Sequence, residues 1–123
     1  MQWKKSSPAL VELFSRVVPG APAEKRQMFG YPAAFVNGNM FIGLHQEDFI
    51  LRLPDDARAD LLKKKGAHVF EPMPGRPMKE YIVAPSSLIK DEDELRRWIG
   101  RSLQYASSLQ PKKKAKSAAR RRG

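Results

Sequence analysis

Apolar residues recur every three or four positions in two segments, one near each end of the chain. The first segment follows Ser6-Ser7-Pro8, which offers a hydroxyl cap and a proline suited to a first helical turn. Pro19-Gly20 ends that segment. The second segment follows Asp91, and Glu94 three residues later completes a capping box. The spacing therefore predicts a helix after Ser7 and a longer helix that ends before Pro111.

Between these two helices, short apolar runs alternate with polar positions, which is typical of strands. Runs of this kind cover residues 26–29, 31–36, 40–45, 49–53, 69–70 and 80–84. Residues 54–65 predict a further helix, with acidic residues at its start and lysines at its end. Residues 72–77 are rich in proline and glycine and predict a loop.

Asn37-Gly38 predicts a two-residue turn, because both residues tolerate the positive φ angles that a type I′ turn requires. Val36 then lies opposite Asn39. In this register, alternate residues of the following strand lie on opposite faces, with Met40, Ile42 and Leu44 on one face and Phe41, Gly43 and His45 on the other. Hairpin links between strands favour an antiparallel sheet, so we expect a two-layer α+β domain over residues 1–110 with helices packed on the sheet.

The chain has 123 residues and no cysteine, which excludes thiol catalysis, disulfides and zinc sites built on thiolates. No apolar run approaches the roughly 20 residues that cross a bilayer, and the N-terminus does not resemble a signal peptide. We therefore expect a cytoplasmic protein without a membrane segment.

Residues 111–123 contain seven basic and no acidic residues, and they supply most of the net charge of +10. Such a segment is expected to be disordered, and it serves either to keep the protein soluble or to bind phosphates without sequence specificity. The candidate nucleic-acid-binding residues are Lys112, Lys113, Lys114, Lys116, Arg120, Arg121 and Arg122.

No catalytic or metal-binding signature stands out in the sequence. His45 and His68 lack further ligands at metal-site spacing, and neither a phosphate-binding glycine loop nor a nucleophile elbow is present, so no cofactor or metal is expected. A remote alternative is a small enzyme whose polar residues converge in a pocket, namely Arg52, His45, Arg76 and Tyr81.

A cluster of large apolar residues offers a different role, since aromatic side chains on an open sheet face can stack on nucleobases. This cluster comprises Met28, Phe29, Tyr31, Phe35, Met40 and Phe41. Aromatic residues in strands more often belong to the core, however, so core packing is the expected role of these side chains. Basic residues that would line an edge of such a sheet are Arg26, Arg52, Arg76 and Lys79.

Four motifs, taken in order, resemble the N-terminal domain of the TfoX/Sxy family of bacterial competence regulators over about residues 7–108. They are Arg26-Gln27-Met28-Phe29-Gly30, Val36-Asn37-Gly38-Asn39-Met40-Phe41-Ile42, Leu51-Arg52-Leu53 and Gly75-Arg76-Pro77-Met78-Lys79-Glu80-Tyr81. The resemblance implies a bacterial, cytoplasmic α+β domain with no catalytic residues. Longer family members add a C-terminal helical domain, whereas this chain has the basic segment after Leu109, so a role in competence is not carried over.

These observations lead us to expect a non-enzymatic regulatory or interaction module whose partner is a regulatory protein or a nucleic acid. The alternative is a non-specific nucleic-acid-binding protein that acts through residues 111–123. Within the domain, a contact surface is expected at Arg26, Arg52, Arg76, Pro77, Met78 and Lys79.

Overall fold

Strands and helices follow one another through the computed structural model, which describes residues 5–21, 23–28 and 30–110. In chain order, the elements are α1 (Pro8–Val17), β1 (Glu24–Met28), β2 (Tyr31–Val36), β3 (Asn39–His45), β4 (Asp48–Arg52), α2 (Asp55–Leu62), β5 (His68–Met73), β6 (Arg76–Val83), α3 (Ser86–Ile89) and α4 (Glu92–Ser108). The predicted basic segment lies outside the described residues, so its predicted disorder remains a prediction.

The strands form one antiparallel sheet in the order β1-β2-β3-β4-β6-β5. Apolar residues from all four helices pack with one another and with strand residues in the larger of two cores. Burial of this apolar surface is the main force that holds the two layers together. The predicted α+β class is therefore confirmed.

Both predicted helix caps are present. The Ser7 side chain accepts a hydrogen bond from the Leu10 backbone amide at 3.3 Å, and Asp91 accepts one from the Glu94 amide at 3.2 Å. These bonds satisfy backbone donors that a helix leaves free in its first turn. The short helix α3 follows Pro85 and was not predicted.

The Asn37-Gly38 turn has φ angles of 52° and 79°, and it pairs Val36 with Asn39 as predicted. The predicted alternation along β3 is nevertheless wrong for two residues. Ala34 pairs with Ile42 while Phe35 pairs with Met40, so Phe41 is an extra residue in the strand. A bulge of this kind shifts the alternation by one position.

The bulge places Phe41 in the larger core beside Ile42 and Leu44, and it places Met40 on the opposite face of the sheet. Helix α4 holds the bulge in place. The Ser102 hydroxyl donates a hydrogen bond of 2.6 Å to the Phe41 carbonyl, and Ser102 is fully buried. A polar group of α4 thus satisfies the backbone at the irregular position.

The predicted loop over residues 72–77 is mostly a hairpin, since β5 continues to Met73 and β6 begins at Arg76. Gly75 supplies the positive φ angle of 78° at the turn. The prolines in this segment predicted a loop, but Pro72 is compatible with a strand at the edge of the sheet, where β5 lies.

Candidate interaction site

A second, smaller apolar cluster lies on the face of the sheet opposite the helices. Its buried members are Ala33, Met40, Ile50, Phe70, Tyr81 and Val83, and Met28, Phe35 and Met78 pack against them. Every one of these residues comes from a strand, so no helix in the described part of the chain contributes to this cluster.

The β5–β6 hairpin has an irregular register and contributes two residues to this face. Val69 pairs with Ile82, but the next residue, Phe70, pairs with Met78, so three residues of β6 lie between successive pairs. Strand β4 pairs with residues 81–83 of β6, so the outer part of the hairpin has no pairing with β4. Phe70 is a buried member of the second cluster, and Met78 packs against it.

The cluster surrounds an open cavity of about 170 Å³. We call this cavity the methionine pocket, and the residues lining it are Met28, Phe35, Gly38, Asn39, Met40, Arg52, Met78 and Tyr81. The same three methionines also line a neighbouring apolar cavity of about 30 Å³, together with His45 and Phe70 among others. Methionines from β1, β3 and β6 thus meet at one place.

Two arginines lie over aromatic rings at this site. The Arg26 guanidinium is 5.2 Å from the Phe35 ring centroid, and that of Arg52 is 5.6 Å from the Tyr81 centroid. Arg52 also bonds Glu80 Oε1 through Nε at 2.7 Å and through Nη2 at 2.6 Å. Burial disfavours the charged form of Arg52 and so lowers its pKa. The hydrogen bond with Glu80 has the opposite effect, and the pKa of Arg52 is on balance raised above its ordinary value.

Tyr81 connects the pocket to the backbone of β3. Its hydroxyl donates a hydrogen bond of 3.0 Å to the Met40 carbonyl. Burial raises the pKa of the Tyr81 phenol, and the nearby Arg52 opposes this effect only in part. Tyr81 is therefore a neutral hydrogen-bond donor at neutral pH.

The described part of the chain ends beside the β2–β3 turn. The Asn39 side-chain amide donates to the Gln110 carbonyl at 3.0 Å and to the Asn37 carbonyl at 3.5 Å. Asn39 pairs with Val36 of the larger core, and its neighbour Met40 belongs to the second cluster, so the Asn39 side chain and Gln110 lie on the helix side of the sheet. In the sequence, the basic segment begins directly after Gln110.

The structure divides the predicted contact surface into two groups. Arg52 and Met78 line the methionine pocket, and Arg26 borders it through Phe35. Arg76, Pro77 and Lys79 are exposed on the hairpin and do not line the pocket. The seven predicted nucleic-acid-binding residues lie outside the described range, namely Lys112, Lys113, Lys114, Lys116, Arg120, Arg121 and Arg122.

The predicted aromatic platform is only partly assembled. Met28, Phe35 and Met40 meet in the methionine pocket, whereas Phe41 is fully buried in the larger core, in agreement with core packing and not with a place on an open face. Phe29 lies outside the described residues. Tyr31 is buried, and its ring centroid is 5.3 Å from that of His45.

Residues proposed for a small enzyme do not converge in one cavity. Arg52 and Tyr81 line the methionine pocket, His45 lines the neighbouring cavity, and Arg76 lines neither. Over the described ranges, no three histidine or acidic side chains are grouped as a metal site requires. A wider groove of about 540 Å³ lies where α1 and α3 approach the β3–β4 turn, and it contains none of the residues that we predicted for the contact surface.

Asn39 lines the pocket, although nothing in the sequence indicated a functional role for it. It follows a turn and was assigned only a place in the hairpin register. The Asn37-Gly38 signal located the turn, but no local pattern indicates that the chain returns to this point at Gln110.

Residues 12–106 match the family described as the TfoX N-terminal domain. The chain belongs to this family. The match includes all six strands, α2 and α3, and most of α1 and α4. This family is not a known enzyme family. No curated protein matches the chain.

None of the helices in the described ranges is both long and apolar enough to cross a membrane.

Proposed function

We propose that this TfoX N-terminal domain protein is a non-enzymatic regulatory or interaction module that binds its partner at the methionine pocket. The observation that supports this role is an open cavity of about 170 Å³ on a sheet face to which no described helix contributes. The proposal takes the protein to act in the cytoplasm, as the sequence led us to expect.

The side chains of the pocket suit reversible binding. Methionine is flexible and polarisable, so a surface built from three methionines can adapt to the shape of a ligand. Arg52 adds a charged group to the apolar walls. Binding sites in proteins commonly combine apolar walls with a few placed polar groups.

A capture experiment with two matched variants tests this proposal. The 123-residue protein and the variants Met78→Asp and Met73→Asp are each immobilised on a support. Each is then exposed to bacterial lysate, with and without nuclease, and the captured ligands are compared. Both residues belong to the same hairpin, but Met73 is 60% exposed and lies outside the pocket. We expect Met78→Asp to lose a ligand that the wild type and Met73→Asp retain. Identical captured sets for all three proteins would contradict the proposal, provided that thermal unfolding shows each variant to be folded.

A second candidate function is non-specific binding of nucleic acid through residues 111–123. The seven cations of this segment support it, since pairing with seven phosphates would give a slope of roughly −6 for log affinity against log salt. The test compares duplex DNA binding by the wild type and by a full-length variant with all seven residues changed to Gln. Equal affinities and equal salt slopes would exclude this function.

A further inference from the structure

We infer that the neighbouring cavity of about 30 Å³ is a binding site for one Cu(I) ion. The ligands are the thioether sulfurs of Met28, Met40 and Met78 and the imidazole of His45, all of which line this cavity. The inference goes beyond the proposed function, because a metal ion can bind here whether or not a partner occupies the methionine pocket.

The donors of this cavity are soft and uncharged. Three of the five methionines and one of the two histidines line it, and the chain has no cysteine to compete for a soft metal. Thioether sulfur selects Cu(I), whereas Mg²⁺ and Ca²⁺ require oxygen ligands. No charged side chain is among the described residues that line the cavity. Burying a charge without compensation is costly, so these neutral ligands favour a monovalent ion over a divalent one.

The methionines come from strands that are far apart in the sheet. Met28 lies in β1 and Met78 in β6, and β2, β3 and β4 lie between these two strands. At a spacing of about 4.8 Å per strand, a flat sheet would hold β1 and β6 roughly 19 Å apart. The sheet therefore curves to bring both side chains to one cavity. Pairing between neighbouring strands does not by itself produce this convergence.

The cavity has room for one ion. A space of roughly 10–15 Å³ is enough for one water molecule, and this cavity measures about 30 Å³. The Met40 sulfur and the Ala33 Cβ each lie 3.5 Å from the point that a Cβ of Gly43 would occupy. Ala33 lines the cavity, so the Met40 sulfur lies beside its wall. Methionine side chains are flexible, so the other two sulfurs can turn toward a bound ion.

The His45 imidazole is held in place but is not engaged in hydrogen bonds. Its ring centroid is 5.3 Å from that of Tyr31 and 5.2 Å from that of Phe70. Within the described part of the chain, no hydrogen bond involves either nitrogen of the ring. His45 can therefore bind a metal ion without first losing a partner in that part of the chain, and imidazole nitrogen is a good ligand for copper.

A polar groove offers an ion a path to this site. His45 lines both the cavity and an open groove of about 400 Å³. The groove also contains His68, Asp48 and Glu71, whose nitrogen and oxygen atoms can hold a metal ion in passing. His45 thus connects solvent with the three methionines, as a metal site with an entry path requires.

Titration with silver(I) in chloride-free buffer tests the inference, because silver(I) has the charge and the donor preference of Cu(I) and is stable in air. Calorimetry of the 123-residue protein should find one bound ion. Met28→Leu, Met40→Leu and Met78→Leu each remove a sulfur at similar side-chain volume. Each should weaken binding at least roughly tenfold, since losing a group that merely supports a metal ligand already costs about 10- to 100-fold. Met73→Leu is the matched control, because Met73 is 60% exposed and does not line the cavity.

The histidines provide a second matched pair. His45→Gln should weaken silver(I) binding, whereas His68→Gln, which changes only the groove, should leave the affinity at equilibrium unchanged. A further measurement uses the wild type alone. X-ray absorption of the protein loaded with Cu(I), kept reduced by ascorbate, should show sulfur neighbours around the copper.

No silver(I) binding, leucine variants that bind it as tightly as the wild type does, or copper with only nitrogen and oxygen neighbours would overturn the inference. The absorption measurement needs no variant, so it provides a test even if a leucine variant does not fold. Neither measurement involves lysate. Failure of the metal site therefore leaves the proposed function unaffected, and failure of the capture experiment leaves the metal site unaffected.

Discussion

The hydrogen bond from Ser102 to the Phe41 carbonyl makes a quantitative prediction about the bulge that directs Met40 into the methionine pocket. Ser102→Ala removes the donor and leaves a buried carbonyl without it. An unsatisfied buried backbone group costs about 1–3 kcal/mol. Alanine has a higher helix propensity than serine, which offsets roughly 0.5 kcal/mol of this cost. We therefore expect a net loss of about 1.5 kcal/mol in the free energy of unfolding.

The chain provides a matched control for this substitution. Ser108 also lies in α4, and its hydroxyl donates a hydrogen bond of 2.6 Å to the Tyr105 carbonyl, but Ser108 is exposed. Water can replace the bond lost in Ser108→Ala, so that variant should stay within about 0.5 kcal/mol of the wild type. The two bonds have equal length, and the comparison therefore isolates the effect of burial.

Urea unfolding, followed by circular dichroism, measures the free energy of unfolding of both variants. For a domain of this size, a loss of about 1.5 kcal/mol lowers the thermal midpoint by roughly 6–12 °C. Equal stability of the two variants would show that the Ser102 bond does not support the bulge. In that case α4 does not fix the position of Met40.

Three further predictions concern the backbone and pH. Gly100→Ala should raise the free energy of unfolding by about 1 kcal/mol in urea titrations, because this exposed position of α4 has no atom within 4 Å of an added Cβ. Gly75→Ala should lower it by roughly 1 kcal/mol, since φ is +78° there, and Gly75→Asn should lower it less. The raised pKa of Tyr81 means that the folded state keeps its phenol proton above pH 10 while the unfolded state loses it. Stability should therefore fall as pH rises beyond 10, and stability measurements should find a smaller fall in Tyr81→Phe.

Local patterns in the sequence were sufficient to predict the main elements of the fold. The Ser7 and Asp91 caps and the Asn37-Gly38 turn were predicted correctly, because each depends on backbone groups within three residues. The antiparallel sheet followed from the turns between short strands. These features require no knowledge of distant contacts.

The candidate site was harder to predict, because it depends on irregular strand pairing. The bulge at Phe41 and the three intervening residues of β6 change which side chains share a face. Strict alternation placed Met40 with Ile42 and gave no reason to associate it with Met78. Bulges arise from contacts across strands and with α4, such as the bond from Ser102, so a local pattern does not reveal them.

Nuclear magnetic resonance of the methionine methyl groups tests most directly whether the methionine pocket binds a ligand. Protein carrying labelled methyl groups is titrated with the ligand that the wild type captures from lysate and Met78→Asp does not. The account predicts that the signals of Met28, Met40 and Met78 shift together while that of the exposed Met73 stays in place. Shifts confined to Met73, or no methionine shift although the ligand binds, would contradict it.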